Sequence, residues 1–424
     1  MTTELNYFDF MQSQRRALHQ NPEIGWTEFQ TTAHIIEFLK ENNFRVLTGS
    51  QAINPEFVRG RDAALAEQAM TRAAAAGVAA DTLAQMEGLT GCIGVFDTHK
   101  PGPVIALRFD IDCVNVAETQ SQSHLPNQAG FRSHNPGLMH ACGHDGHTAV
   151  GLALAHWINH HHDQLSGVIK LCFQPAEEGV RGAKPMAESG QLNDVDYFLG
   201  MHLSFIANSG EIVVDPTHFL CTQKIDIRYQ GRSAHAGAQP HLGRNALAAA
   251  SNAAVQLLGI SRHGDGMSRI NIGELHAGEG RNVIPAHAEL KLEVRGENSA
   301  INQYMVDQVM AIAKGCAISF DVQYETEVMG EAVDLNNSPE LVALLADVAA
   351  HTPGVTHVVD QRIFGGSEDA TLLAQKVIEE GGKALFFIVG ADRTAGHHQT
   401  DFDFDEQQLQ TAFDLFSQMI LRLQ

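Results

Sequence analysis

Four separated stretches of this chain carry side chains suited to binding a divalent cation. Cys142 and His144 stand in MHACGHDGHTA, Glu177 and Glu178 in FQPAEEG, His202 in GMHL, and His397 and His398 in AGHHQTDFDFDE. Thiolate, imidazole and carboxylate are the donors of a transition-metal site, and a rigid site needs them to converge from several directions. Two cations a few ångström apart also need a bridging ligand, for which a thiolate or a shared water serves. Adjacent glutamates suit a division of labour. One binds metal while its neighbour stays free as general base, taking a proton from the activated water and passing it to a leaving nitrogen. The chemistry this combination suggests is two-metal hydrolysis of an amide.

Taken singly, each signal has a plainer explanation: a core thiol, a solvated acidic pair, a satisfied core histidine. The run His160–His162 reads as a solvated helix end and receives no role. What favours chemistry is placement, because each of the four stretches lies where a hydrophobic strand meets a loop. PVIALRFDID reads as a buried strand ending at Asp110 and Asp112, GVIKLCFQPAEEG as a strand running into a loop, VDYFLGMHL as another, and KALFFIV as a fourth. In an α/β protein the carboxyl ends of such strands border one crevice.

Around these strands the pattern alternates with helices, including Phe10 to Lys40 (broken by NPEIGW), GHTAVGLALAHWINHHH, PELVALLADVAA and a final helix from Asp405. The expected class is α/β with a parallel or mixed, helix-covered sheet. Residues 49–90 are Ala-rich and read as an ordered helical insertion rather than a linker. After Asp215 the order becomes β-α-β-β-α-β, a ferredoxin-like unit, with a last strand placed at AISFDVQYETEV. The expected organisation is residues 1–215 and 331–424 as one α/β domain, with 216–330 inserted.

The bulk numbers narrow the partners. The chain has 424 residues, with Asp plus Glu 50 against Lys plus Arg 28, a formal net charge of -22. Such a surface repels phosphate backbones and anionic lipid, so neither nucleic acid nor membrane is expected. An anionic substrate can still bind if the pocket concentrates its own arginine or metal. Cysteines 92, 113, 142, 172, 221 and 316 are scattered, most of them in apolar runs, as in a reduced cytoplasmic protein. No leader hydrophobic region or membrane-length apolar run is apparent.

The stretches MHACGHDGHTA, FQPAEEG, GRSAHAGAQPHLGRNA, GRNVIPAHAELKLEVRG and GSEDA, in that order, resemble the amidohydrolase branch of the M20 metallopeptidase family, over nearly the whole chain. The resemblance implies a metallohydrolase catalytic domain with an inserted lid and dimerisation domain. It implies Cys142, His144, Glu178, His202 and His398 as ligands of two divalent ions, with Mn2+ favoured and Zn2+ the alternative. It implies Glu177 as general base and His235, reaching an active site across a dimer, as an oxyanion donor. Asn282 and Arg295 are implied to hold a substrate carboxylate. The insertion and the C-terminal motif further suggest members of the branch that split p-aminobenzoyl-glutamate and work with a related second subunit. The alternatives are a broader hippurate-type N-acyl amino acid hydrolase, or a chain active only beside a second one. Two departures bear on the ligands. The last motif has Thr400 where the family usually has proline, which leaves His397 competing with His398. RFD at 108–110 replaces His-x-Asp, so Asp110 is expected to orient a ligand rather than be one.

Overall fold

The computed structural model describes residues 5–424, so the first four residues of the N-terminal stretch read above as leaderless lie outside the described residues. The early helical pattern forms helices Tyr7–Gln20 and Phe29–Glu41. The break between them has a local cause. Glu23 turns back, and its carboxylate accepts from the N–H groups of Gln30 (3.3 Å) and Thr31 (2.9 Å), capping the second helix. The Ala-rich block is ordered, with helices Ala63–Ala75 and Ala80–Gln85. Asp62 caps the first of these through Ala64 N and Leu65 N, at 2.9 and 3.0 Å. Ala66, Ala69 and Ala73 fall on one face at helical spacing and are buried, packing toward helix Phe29–Glu41.

The strands, in chain order, are β1 (Arg45–Leu47), β2 (Cys92–Asp97), β3 (Val104–Asp110), β4 (Val168–Gln174), β5 (Tyr197–Leu203) and β6 (Glu211–Thr217). Then come β7 (Cys221–Gln230), β8 (Ser268–Ala277), β9 (His287–Gly296), β10 (Gln323–Ala332), β11 (His357–Ile363) and β12 (Lys383–Val389). The chain divides into two compact units. One holds the chain up to Thr217, Leu335–Phe364 and Asp369–Gln424; the other holds His218–Asp334 and Gly365–Glu368.

In the first unit eight strands form one mixed sheet in the order β1-β2-β4-β3-β5-β12-β6-β11. The central run β4-β3-β5-β12 is parallel, so the carboxyl ends of four neighbouring strands face the same way. Along β5 and β12, side chains alternate between two apolar faces. Leu199, Met201, Leu385 and Phe387 enter one core with helix Gln408–Arg422, whereas Phe198 and Phe386 take alternate positions and are also buried. Burial on both faces explains why these strands read as continuous hydrophobic runs. Helix His144–His160 packs on β3, β4 and β5. Gly146 lets it come close, since a Cβ there would meet Phe404 Cζ at 2.7 Å and Leu203 Cδ1 at 2.9 Å.

The second unit is a four-stranded antiparallel sheet, β10-β7-β9-β8, backed by helices Ala246–Leu258 and Ser299–Phe320. That strand order is the ferredoxin-like arrangement the sequence suggests. One boundary differs. AISF lies in the helix, not the strand: Ala313, Cys316 and Ala317 bury one helical face, and the helix ends where Asp321 turns left-handed at φ 52°. Strands β6 and β11 and helix Ala370–Glu379 are additional to the elements read from sequence.

A buried charge network joins distant segments of the first unit. Arg15, fully buried, donates to Asp145 (3.0 Å), to Glu406 (2.9 Å) and to Asp403. His19 bonds Asp145 (2.8 Å) and Glu118 (3.1 Å), and Glu118 also accepts from Ser133 N (2.7 Å) and pairs with His124 (3.0 Å). Burial opposes ionisation of Glu118, but His124, His19 and the Ser133 N–H outweigh it and bring its pKa down to about 2. No helix among the described residues is long and apolar enough to cross a membrane.

Two outcomes follow from this network. Replacing Arg15 by Met strands three carboxylates in the core and is expected to cost about 3–5 kcal/mol in urea unfolding. The depressed Glu118 pKa stabilises the fold above its usual value near 4.5, and that stabilisation is lost as pH falls toward about 2. Glu118→Gln should therefore flatten the decline of stability over that acid range; an unchanged slope would place the acid sensitivity elsewhere.

Candidate metal centre

The carboxyl ends of β3, β4, β5 and β12 deliver the site. Asp110 ends β3 and stands in register with Gln174 at the end of β4, while Leu203 on β5 faces Val389 on β12. The loops leaving these strands bring the five expected ligands together. Ligand atoms of Cys142, His144 and His202 lie within 4.8 Å of one another, and so do those of Cys142, Glu178 and His398. A third overlapping set, His144, Glu177 and Glu178, joins the two. Cys142 Sγ lies 3.5 Å from His202 Nε2, and His398 Nε2 lies 3.0 Å from Glu178 Oε1. The two clusters share the one sulfur.

Hydrogen bonds on the far side of each ring decide where its lone pair points. His144 donates Nδ1–H to the Asp112 carbonyl (2.9 Å), which leaves Nε2 as the nitrogen a cation would take. That Nε2 is buried and has no hydrogen-bond partner, as a ligand atom facing a cation would be. His202 donates Nδ1–H to the Leu203 carbonyl (2.7 Å), so its Nε2 lone pair faces Cys142. His147, the third histidine of MHACGHDGH to reach this site, differs. Its Nε2 accepts from Leu203 N–H (3.0 Å) and its Nδ1 bonds Asp110 Oδ1 (2.5 Å), so both nitrogens are committed. The Asp110–His147 pair thus holds the backbone next to His202, and Asp110 is itself braced by Arg108 (2.8 Å). His144 and His147 share a helix face three residues apart, a spacing that signals such cooperation. His140 is buried with both ring nitrogens unbonded, and burial brings its pKa down to about 4.

Asp112 fixes the glutamate loop. Its carboxylate accepts from Glu177 N (3.1 Å) and Glu178 N (3.0 Å), and Glu28 accepts from Ala176 N (2.8 Å). Two buried carboxylates therefore hold three consecutive N–H groups, with Ala176 forced left-handed at φ 50°. His398 is left-handed too, at φ 62°, and its N–H donates to the Ala141 carbonyl (2.8 Å) beside Cys142. Such backbone strain persists where surrounding bonds over-determine it.

Electrostatics separates the imidazoles. Hydrogen bonds to Cys142 and Glu178 push the His398 pKa up to about 10. Burial works against charge on His144, but Asp110 and the Cys142 thiolate prevail and hold its pKa above the usual range. Burial, with His147 nearby, pushes His202 well below it. His397 competes as the sequence suggests it should: its Nδ1 lies 3.4 Å from Cys142 Sγ, yet its Nε2 is engaged by Ser204 Oγ at 2.9 Å. His398 has the second donor, Glu178, that His397 lacks. One thiolate, imidazoles and carboxylates suit Zn2+ and Mn2+ by donor type.

The other expected residues lie in the second unit. His235 is exposed, and its Nδ1 accepts from Gly237 N and Ala238 N, both at 3.1 Å, so Nε2 carries the proton and faces outward as a donor. Asn282 is adjacent, its carbonyl accepting from Ala236 N at 2.9 Å. Arg295 is not beside them. It lies eight residues beyond His287 on β9, roughly 26 Å away at about 3.3 Å per residue, and bonds Glu293 at 3.1 Å.

A strand-end site of this composition, in a chain that also carries a ferredoxin-like unit, defines a metal-dependent hydrolase. The sequence pattern of peptidase family M20/M25/M40 matches residues 106–422, and the chain belongs to that family. It is 56% identical over 409 residues to a p-aminobenzoyl-glutamate hydrolase subunit homolog of Haemophilus influenzae, covering 96% of this chain and 97% of that one. It is similar to the crystal structure of an aminobenzoyl-glutamate utilization protein from Klebsiella pneumoniae, with TM-score 0.85 and 36% identity over 97% of this chain and 95% of that one. It is also similar to a dinuclear metal binding peptidase of the M20 family from Bacillus subtilis, with TM-score 0.67 and 25% identity over 98% of each chain.

Asp112→Asn replaces one of the two acceptor oxygens under the glutamate loop by an NH2 that faces a backbone N–H. It is expected to weaken divalent-cation binding roughly 10- to 100-fold in competition with a chromogenic chelator. Unchanged affinity would mean that the loop holds its shape without that carboxylate.

Proposed function

We propose that this chain hydrolyses the amide bond of p-aminobenzoyl-glutamate, giving p-aminobenzoate and glutamate. The observation that carries the reading is the convergence of Cys142, His144, Glu178, His202 and His398 on one shared sulfur, with Glu177 one residue away and not needed by either cluster built on that sulfur. The names of the similar proteins from H. influenzae and K. pneumoniae supply the substrate. Those five residues would hold two divalent ions, Mn2+ for activity with Zn2+ as its rival. When bound, such ions polarise a carbonyl and acidify a water.

The rest belongs to the chain's own side chains. Glu177 takes the proton of the attacking water and delivers it to the departing amine. Its backbone N–H is fixed by Asp112, which sets the point from which its side chain reaches. His235 offers Nε2–H, oriented by two backbone N–H groups on Nδ1, to the oxyanion that develops on the carbonyl. Asn282 stands beside it as a further donor. Arg295, eight residues past His287 on β9, offers a bidentate grip for a carboxylate, and a second copy of the chain would let it and Asn282 serve one substrate. A homodimer, or an assembly with a related second subunit, would supply that arrangement.

The decisive measurement is turnover of p-aminobenzoyl-glutamate and benzoyl-glycine by the purified chain, supplied with Mn2+ or Zn2+. Faster turnover of benzoyl-glycine would favour a hippurate-type enzyme, and activity only with a second chain would make this a dependent subunit. Glu177→Ala is expected to lower kcat by about 10²–10⁴ with metal still bound. Near-normal turnover of that variant would remove Glu177 from the reaction.

A further inference from the structure

A chain with net charge -22 must gather local positive charge to hold an anionic substrate. The Ala-rich insertion brings such charge to the glutamate loop. Arg181, three residues past Glu178, donates Nε to the Glu178 carbonyl (2.9 Å) and Nη1 to the Gly60 carbonyl (3.0 Å). Gly60 turns left-handed at φ 54° between Arg59 and Arg61. One guanidinium therefore pins the Arg59–Gly60–Arg61 turn to the loop that carries Glu177 and Glu178. Buried Trp26 holds the turn from another direction, donating Nε1–H to the Arg59 carbonyl at 2.7 Å. Gly25 leaves the room this needs, because a Cβ there would collide with Arg181 Nη2 and with Ala176 Cα.

Arg61 is held but not neutralised. Its Nη2 donates to the Gly88 carbonyl (2.8 Å), its Nε is buried without a hydrogen-bond partner, and among the described residues no carboxylate forms an ion pair with it. Arg132 and Arg181 are likewise bonded to carbonyls, whereas Arg15, Arg108, Arg228 and Arg362 each pair with at least one carboxylate. A guanidinium held by a backbone carbonyl and lacking a counter-charge keeps its remaining N–H donors for a ligand carboxylate.

We propose that Arg61 is the subsite for the side-chain carboxylate of an acidic amino acid on the amine side of the scissile bond. The insertion at 49–90 then sets a preference for glutamate over neutral residues. This rests on the hydrolase reading above, and the test separates the two. Steady-state kcat/KM is measured on p-aminobenzoyl-glutamate and on p-aminobenzoyl-glutamine, which differ only in that carboxylate. Wild-type protein should prefer the glutamate compound by about 10- to 100-fold, the range of a hydrogen-bonded charge contact. Arg61→Met should erase most of that preference through KM, leaving the glutamine compound within about threefold, and Arg61→Lys should keep part of it. Equal losses on both compounds, or none on either, would overturn the subsite. Calorimetric titration of p-aminobenzoyl-glutamate into Glu177→Ala protein, with Arg61 intact or replaced by Met, reads the same contact without turnover. Binding that depends on Arg61 in a chain inert to every N-acyl amino acid would sink the hydrolase reading and keep the subsite. Turnover indifferent to Arg61 would do the reverse.

Discussion

Asp112 joins the two halves of the site. Its main-chain carbonyl sets the tautomer of His144, and its side chain holds the backbone of Glu177 and Glu178. A donor set drawn from four strand ends has no reason to converge unless some group reads the position of one loop and imposes it on the next. Asp112 does so in a dry setting, where each charge-assisted hydrogen bond is strong and an unmade one is costly. Glu28 extends the same support to Ala176, and the Asp110–His147 pair extends it to the strand end that carries His202. The candidate ligands thus keep their lone pairs for one another because their remaining atoms are spoken for.

How much of this was legible in the sequence depends on what kind of atom makes the contact. Glu178, His202 and His398 were legible because they stand at or soon after hydrophobic runs that are strands, whereas Cys142 and His144 sit at the start of helix His144–His160, well past the end of β3. The ferredoxin-like order was legible from alternating patterns such as HAELKLEVRG, whose residues alternate between buried and half-exposed along β9. The cradle under the glutamate loop was not, because half of each bond is a backbone N–H that every residue possesses. His147 was not singled out in its histidine-rich motif, and only its two occupied nitrogens assign it to support. His287 and Arg295 are close in sequence and far apart along β9, because an extended strand spends its length quickly. AISF reads as strand by residue type and is helix because the buried face of Ala313, Cys316 and Ala317 continues through it.

Charge is distributed with similar economy. The first unit buries several cations, and most are surrounded: Arg15 by three carboxylates, Arg108 by Asp110 and Asp369. Those pairs act as internal fasteners and leave little field outside. Arg61 and Arg181 are bonded to carbonyls instead, so their charge is only partly screened. An acidic protein can therefore present a locally cationic wall without changing its overall repulsion of polyanions.

Arg15 belongs to the first helix, while two of its carboxylate partners, Asp403 and Glu406, lie near the end of the chain, the latter 391 residues away. A ribosome releases these groups at opposite ends of its work. Until the last segment emerges, the arginine has no full set of counter-charges, and burying it would be prohibitive. The ferredoxin-like unit, encoded in between and built on its own core, has no such dependence on the tail. The order of maturation is thus inverted relative to synthesis: the middle of the polypeptide can be finished while its beginning still waits for its end.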